Sequence, residues 1–170
     1  MQELTIQIPF DHQDFIKSQK IVWKFMNKRF IKTHIIYTII LTVIALLMLR
    51  SETIVLFPIS TAFVIGSLIY FIFSWVGFYE RRIRFFKRVN SLASNASGCN
   101  FIFSDYGIEY SDAEKLYKHS WPLFSRFVII DDTILIILKE SSAVLFTLSK
   151  KELGENNYNT VVEILKEKLG

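Results

Sequence analysis

The chain has 170 residues, of which 51% are hydrophobic, and a formal net charge of +4. This length suits one ordinary domain or one small domain plus membrane segments. Its single cysteine, Cys99, excludes an intramolecular disulfide bond and a cysteine-rich zinc site. Residues 15–98 carry twelve Lys and Arg against two acidic residues, whereas residues 99–170 carry eight against eleven. The acidic C-terminal region argues against a nucleic-acid partner, because such binding needs clustered positive charge.

Residues 1–10 predict a strand. The segment LTIQI at positions 4–8 alternates apolar and polar side chains and stops at Pro9, as amphipathic strands do. We expect this strand to pair with a sheet formed by the C-terminal residues, so that both ends of the chain build one domain. The same stretch is neither basic nor continuously apolar, so no cleavable signal peptide is expected.

Residues 11–32 predict a basic amphipathic helix in which lysines recur at spacings of three or four. Aromatic side chains, including Phe15, Trp23 and Phe30, fall on the opposite side. The lysines could bind anionic lipid headgroups at a bilayer surface. Alternatively, they face solvent while the aromatic side packs on the C-terminal domain, and the sequence leaves both interpretations open. The lysines are Lys17, Lys20, Lys24, Lys28 and Lys32.

Residues 33–79 predict a transmembrane helical hairpin, because the runs 33–49 and 54–79 carry no charge. A pair of buried core helices is the alternative. Basic residues flank both outer ends, whereas the short connection holds only Arg50, so the positive-inside rule places both termini in the cytoplasm. A multi-pass protein of a cell membrane is therefore expected. Residues 80–98 predict a basic juxtamembrane helix and linker with Arg81, Arg82, Arg84, Lys87 and Arg88 facing the membrane surface.

From residue 99 to residue 170 the sequence pattern is different: short runs typical of β-strands are separated by turn residues. Asp131 and Asp132 predict a tight turn between two nearly continuous apolar strands, 127–130 and 133–138. Such strands are covered on both faces, and we expect the C-terminal helix on one face and a second sheet on the other. Apolar side chains at helical spacing predict that closing helix over residues 158–169, and a shorter helical turn follows Ser149.

The C-terminal region holds several short segments, which are FSDYGI at 103–108, KHSW at 118–121, FVII at 127–130, TILIIL at 133–138 and FTLSK at 146–150. Through these segments, its predicted membrane hairpin and its closing helix, the chain resembles the YcxB-like family. Because the resemblance is to bacterial proteins, it implies a location in the bacterial inner membrane. Ser149 stands where the family commonly has proline. The resemblance covers almost the whole chain and implies a C-terminal domain related to the pleckstrin-homology and GRAM-type folds, with no general activity. The expected fold class is therefore α+β: a two-helix transmembrane hairpin plus a small antiparallel β-sandwich or partly open barrel closed by a C-terminal helix.

No arrangement of residues predicts catalysis, a cofactor or a metal. The three histidines, His12, His34 and His119, are far apart and lack the spacing of a metal motif. The leading hypothesis is a membrane-anchored, non-enzymatic adaptor whose pleckstrin-homology-like domain binds an unknown protein partner or lipid headgroups. A membrane protein for immunity or toxin neutralisation is the alternative, and an enzyme using His119, Asp131 and Asp132 is a third. Gly66 and the aromatic second run allow a homo-oligomer.

Overall fold

Two long helices and two antiparallel sheets make up the chain, in a computed structural model that describes residues 3–50, 57–94, 98–141 and 143–170. The chain is therefore an α+β protein. The elements in the N-terminal part are strand β1 (Leu4–Ile8), helix α1 (His12–Arg50) and helix α2 (Phe57–Ser94). They are followed by β2 (Cys99–Phe103), β3 (Gly107–Ser111), β4 (Leu116–Ser120), β5 (Phe124–Ile130), β6 (Thr133–Leu138), β7 (Val144–Ser149), α3 (Lys150–Leu153) and α4 (Glu155–Leu169).

The elements form two compact units. The sheet unit comprises Met1–Phe25 and Val89–Gly170, and the helical unit comprises Met26–Arg88. Helices α1 and α2 each contribute residues to both units. The predicted linker ahead of the C-terminal strands is mostly regular structure, since α2 continues to Ser94 and β2 already begins at Cys99.

The two long helices do not meet the requirements of membrane spans. Within the described ranges, no helix is both long enough and apolar enough to cross a bilayer. The predicted transmembrane hairpin, the multi-pass topology and the inner-membrane location are therefore wrong. The uncharged run of α1 has only 17 residues and includes His34 and Thr38, while Ser67 and Ser74 interrupt the apolar run of α2. The predicted connection and the start of the second run fall on 51–56, which lie outside the described residues.

One sheet has four strands in the order β1-β2-β3-β4. Strand β1 pairs antiparallel with β2, from Leu4 opposite Phe103 to Ile8 opposite Cys99. The sequence predicts a pairing of this strand with the C-terminal sheet, because an amphipathic strand needs a partner for its backbone and for its apolar face, but it does not identify β2 as that partner. Ile6 and Ile8, which share one face of β1, are both buried. Strand β1 thus shares a sheet with β2, β3 and β4 and a core with the C-terminal strands and α4.

The other sheet has three strands in the order β5-β6-β7. The turn between β5 and β6 consists of Asp131 and Asp132, whose φ angles are 47° and 59°. These left-handed conformations suit a two-residue hairpin and are tolerated by Asp better than by most side chains. The predicted tight turn is confirmed. A register shift in β5, between Phe124 and Arg126, bends the first strand of this sheet.

Both faces of β6 are buried. Ile134 and Ile136 point into the main core, which also holds residues of the four-stranded sheet and of α4. Leu135 points the other way and packs against Ile21 and Val22 of α1. The predicted burial of both faces is confirmed, but the predicted cover is wrong. The four-stranded sheet and the closing helix α4 lie on the same side of β6, in the core with Ile134 and Ile136. Helix α1 covers the other face, where Leu135 lies.

The helical unit pairs α1 and α2 through polar and aromatic contacts. The ring of His34 forms hydrogen bonds with the Ser74 hydroxyl and the Phe30 carbonyl oxygen. Phe30 stacks on Phe78 with ring centroids 5.0 Å apart, and the guanidinium of Arg81 lies 5.1 Å from the centroid of Phe30. His34 therefore has a packing role between the two helices.

Candidate binding cavity

An open cavity of about 510 Å³ lies within the sheet unit. Its walls come from the end of β1, the first turns of α1, strands β2, β3, β4 and β7, and the end of α3. A volume of this size falls within the range of small-ligand sites. The aromatic lining residues are Phe10, Phe15, Phe101, Tyr110, Tyr117 and Phe146, and the ring of His119 joins them.

Strand register places the rings on one side of the cavity. Tyr110 of β3 lies directly opposite Tyr117 of β4, and His119 follows two residues later on the same face of β4. Phe146 reaches the cluster from β7 in the other sheet. These four rings form one cluster in which each ring contacts two others. The centroid separations are 6.1 Å for Tyr110–Tyr117, 6.0 Å for Tyr117–His119, 5.8 Å for His119–Phe146 and 6.0 Å for Phe146–Tyr110.

The polar groups of the cavity are held by local hydrogen bonds. The Tyr110 hydroxyl donates to Oδ2 of Asp112 at 2.8 Å. Burial, followed by this hydrogen bond, raises the pKa of Tyr110 above its ordinary value, so the phenol stays neutral. Glu152 accepts hydrogen bonds through Oε2 from the backbone N–H of Ser149 at 2.9 Å and from its hydroxyl at 2.7 Å. The bond from the Ser149 backbone, together with one from the Glu152 backbone N–H to Ser149 Oγ at 3.2 Å, forms the capping box that begins α3.

Cys99 lines the cavity as an unreactive thiol. Burial raises its pKa to about 11, and the negative charges of Glu152 and Asp112 act in the same direction. A thiol with so high a pKa is almost fully protonated at neutral pH and is a poor nucleophile or metal ligand. Its contribution to the cavity wall is therefore that of a small apolar side chain.

The charge of the lining is acidic. Glu152 is the one charged side chain among the described lining residues, which include neither lysine nor arginine. Asp112 adds a second carboxylate behind Tyr110. Anionic headgroups and phosphates are bound by concentrated positive charge, so this cavity is unsuited to them.

The structure separates the residues considered for an enzyme. His119 lines the aromatic cavity, whereas Asp131 and Asp132 line a different, polar cleft of about 410 Å³. That cleft is crossed by an ion pair between Lys151 and Asp14, with 2.7 Å between Nζ and Oδ2. Among the described residues, no group of three or more His, Cys, Asp or Glu side chains could hold a metal ion.

The ten basic residues predicted at a membrane surface are all exposed. Three of the lysines belong to the sheet unit, and the other seven basic residues belong to the helical unit. In the sheet unit, the opposite side of α1 packs through Ile21 and Val22 against the three-stranded sheet. The exposed set is Lys17, Lys20, Lys24, Lys28, Lys32, Arg81, Arg82, Arg84, Lys87 and Arg88.

Comparison with profiles of known protein families, with curated proteins and with solved structures found no significant match. The sequence did not predict the cavity, because it gave Tyr110 and Tyr117 no role and His119 was considered only for a metal motif or an enzyme. A signal was nevertheless present. One aromatic residue on each side of a short turn, at positions that pair across a hairpin, predicts ring contacts on one sheet face.

Proposed function

We propose that the sheet unit is a non-enzymatic binding module that receives an apolar segment of a protein partner in the aromatic cavity. The observation that carries the proposal is the open cavity itself, which is lined largely by aromatic side chains and held on two sheets. Aromatic side chains in concave sites supply large contact areas at little cost in side-chain entropy, and they dominate many protein interfaces.

Two further features support this function. The two antiparallel sheets and α4 share one core, so the cavity is held on a packed scaffold. A fold alone does not define an activity, so the cavity has to decide the ligand class. Its acidic lining favours a protein segment over a lipid headgroup, because phosphate recognition requires Lys or Arg.

The test is affinity capture of the partner with the tagged full chain and with two tyrosine variants. Tyr117 lines the cavity with 45% of its surface exposed, so Tyr117→Ala removes a binding surface with little effect on the core. Tyr106 is 88% exposed and does not line the cavity, which makes Tyr106→Ala the matched control. We expect Tyr117→Ala to lose the partner and Tyr106→Ala to retain it. Equal capture by both variants would contradict the proposal.

A further inference from the structure

The four-ring cluster of Tyr110, Tyr117, His119 and Phe146 offers aromatic surface to a cation in the cavity. Neighbouring centroids in the cluster are separated by 5.8 to 6.1 Å, which is the spacing of rings that pack against one another. A bound cation therefore lies on the cavity side of the cluster and not between the rings. There it interacts favourably with an aromatic face when it lies within about 6 Å of the ring centroid.

The charges around the rings have the complementary sign. The carboxylate of Glu152 lines the same cavity, and the carboxylate of Asp112 accepts the hydrogen bond of the Tyr110 hydroxyl. The fields of both carboxylates reach the interior, since both raise the pKa of Cys99. No lysine or arginine stands among the described lining residues to oppose a bound cation.

The hydrogen bonds of these carboxylates distinguish between kinds of cation. Oε2 of Glu152 already accepts two hydrogen bonds from Ser149, which leaves Oε1 as the main acceptor of this carboxylate. Both oxygens of Asp112 are also occupied, by two backbone N–H groups and by Tyr110. A lysine ammonium has three N–H donors and an arginine guanidinium has five, all of which need acceptors when buried. A trimethylammonium group has no donor, so it loses no hydrogen bond here.

We infer that the cavity recognises a trimethylammonium group, presented by the partner segment as a trimethylated lysine and held against the rings of Tyr110, Tyr117, His119 and Phe146. This inference rests on the proposed function for the identity of the partner as a protein. The cation–ring contact supplies selectivity, and the remaining aromatic lining contacts the apolar part of the segment.

The first experiment compares two ligands of nearly equal shape by calorimetric titration of the full chain. Choline carries a trimethylammonium group, and 3,3-dimethyl-1-butanol replaces its nitrogen with carbon. We expect choline to bind about tenfold more tightly, which corresponds to roughly 1.4 kcal/mol. Equal affinities would overturn the cation site while leaving an apolar cavity and the proposed function intact. If choline did not bind while Tyr117→Ala still lost the partner, the cation site would likewise be overturned and the proposed function would stand.

The second experiment identifies the source of the group. Nα-acetyl-trimethyllysine methylamide should bind more tightly than choline and more tightly than the unmethylated lysine derivative. Tighter binding of choline would overturn the assignment to a protein side chain. Tyr117→Phe keeps the ring and should keep choline binding, whereas Tyr117→Ala should reduce it at least tenfold and Tyr106→Ala should leave it unchanged. Loss of binding in Tyr117→Phe, or its retention in Tyr117→Ala, would contradict the role of the ring.

Discussion

Gly107 begins β3 where the backbone of β4 passes unusually close. A Cβ atom at this position would lie 1.9 Å from the carbonyl oxygen of His119, which belongs to the β4 backbone and cannot turn aside as a side chain would. We expect Gly107→Ala to lower the free energy of unfolding by roughly 1–3 kcal/mol, the usual cost of overpacking. Urea unfolding of the purified chain measures this loss.

Gly77 provides the matched control for that substitution. It lies inside α2, and a Cβ atom there would meet nothing within 4 Å. Because alanine is the better helix former, we expect Gly77→Ala to be neutral or to stabilise α2 by up to about 1 kcal/mol. If Gly107→Ala were as well tolerated as Gly77→Ala, the close approach of β3 and β4 at this point would be incorrect.

Asp112 should make the β3–β4 connection sensitive to acid. Its Oδ1 accepts hydrogen bonds from the backbone N–H groups of Glu114 and Lys115 at 2.9 and 2.8 Å, and its Oδ2 accepts one from Tyr110. These bonds, that from Glu114 foremost, lower the pKa of Asp112 in the folded protein. The stabilisation is therefore complete above the unfolded pKa of about 4 and is lost as pH falls through the lower folded value.

The measurement is urea unfolding between about pH 5 and pH 2 for the wild-type chain and for Asp112→Asn. Because Asn has no carboxylate to protonate, we expect the stability difference between the two proteins to be largest near pH 5 and to shrink towards pH 2. A difference that stayed constant over this interval would show that Asp112 does not contribute through its charged form.

Among the elements, α4 is the one on which closure of the sheet unit depends most directly. Val161 and Leu165 lie one helical turn apart and are both fully buried against the core. We expect Leu165→Ala to lower the free energy of unfolding by about 2–5 kcal/mol, because it leaves a cavity between α4 and the strands. Lys166→Ala, one residue later on the exposed side, should change stability by less than about 0.5 kcal/mol. Similar losses in the two variants, measured by thermal unfolding, would contradict this packing.

The local sequence pattern predicted which segments are helices and which are strands, but it did not predict which elements pack on the two faces of β6. The short helix after Ser149 appears as α3, because Ser149 and Glu152 form a capping box over neighbouring residues. The apolar run of β6 showed that both of its faces are buried. It carried no information about which element covers Leu135, because Ile21 and Val22 lie over a hundred positions away in the sequence.

At the scale of the whole molecule, the sheet unit combines the two ends of the described chain. Strand β1 contributes Ile6 and Ile8 to the main core, and α1 covers Leu135. We therefore expect a fragment of residues 99–170 to unfold at low temperature or without cooperativity. Adding a peptide of residues 1–25 should raise its melting temperature, and by mass action the increase should grow with the logarithm of peptide concentration above the dissociation constant. A fragment that melted cooperatively and identically with and without the peptide would contradict this organisation.

The sequence by itself determined the features that depend on near neighbours. It indicated the alternation of β1, the Asp131–Asp132 turn, the short helical turn after Ser149 and the apolar side of α4, because each follows from backbone geometry over a few residues. Counting uncharged residues from 33 to 79 led to a transmembrane hairpin, which the helices of the described chain do not support. Only the tertiary structure decided the partner of β1, the cover of β6 and the aromatic cavity. These depend on contacts between distant segments, and a ring such as Phe146 meets Tyr110 and His119 only after two sheets have packed together.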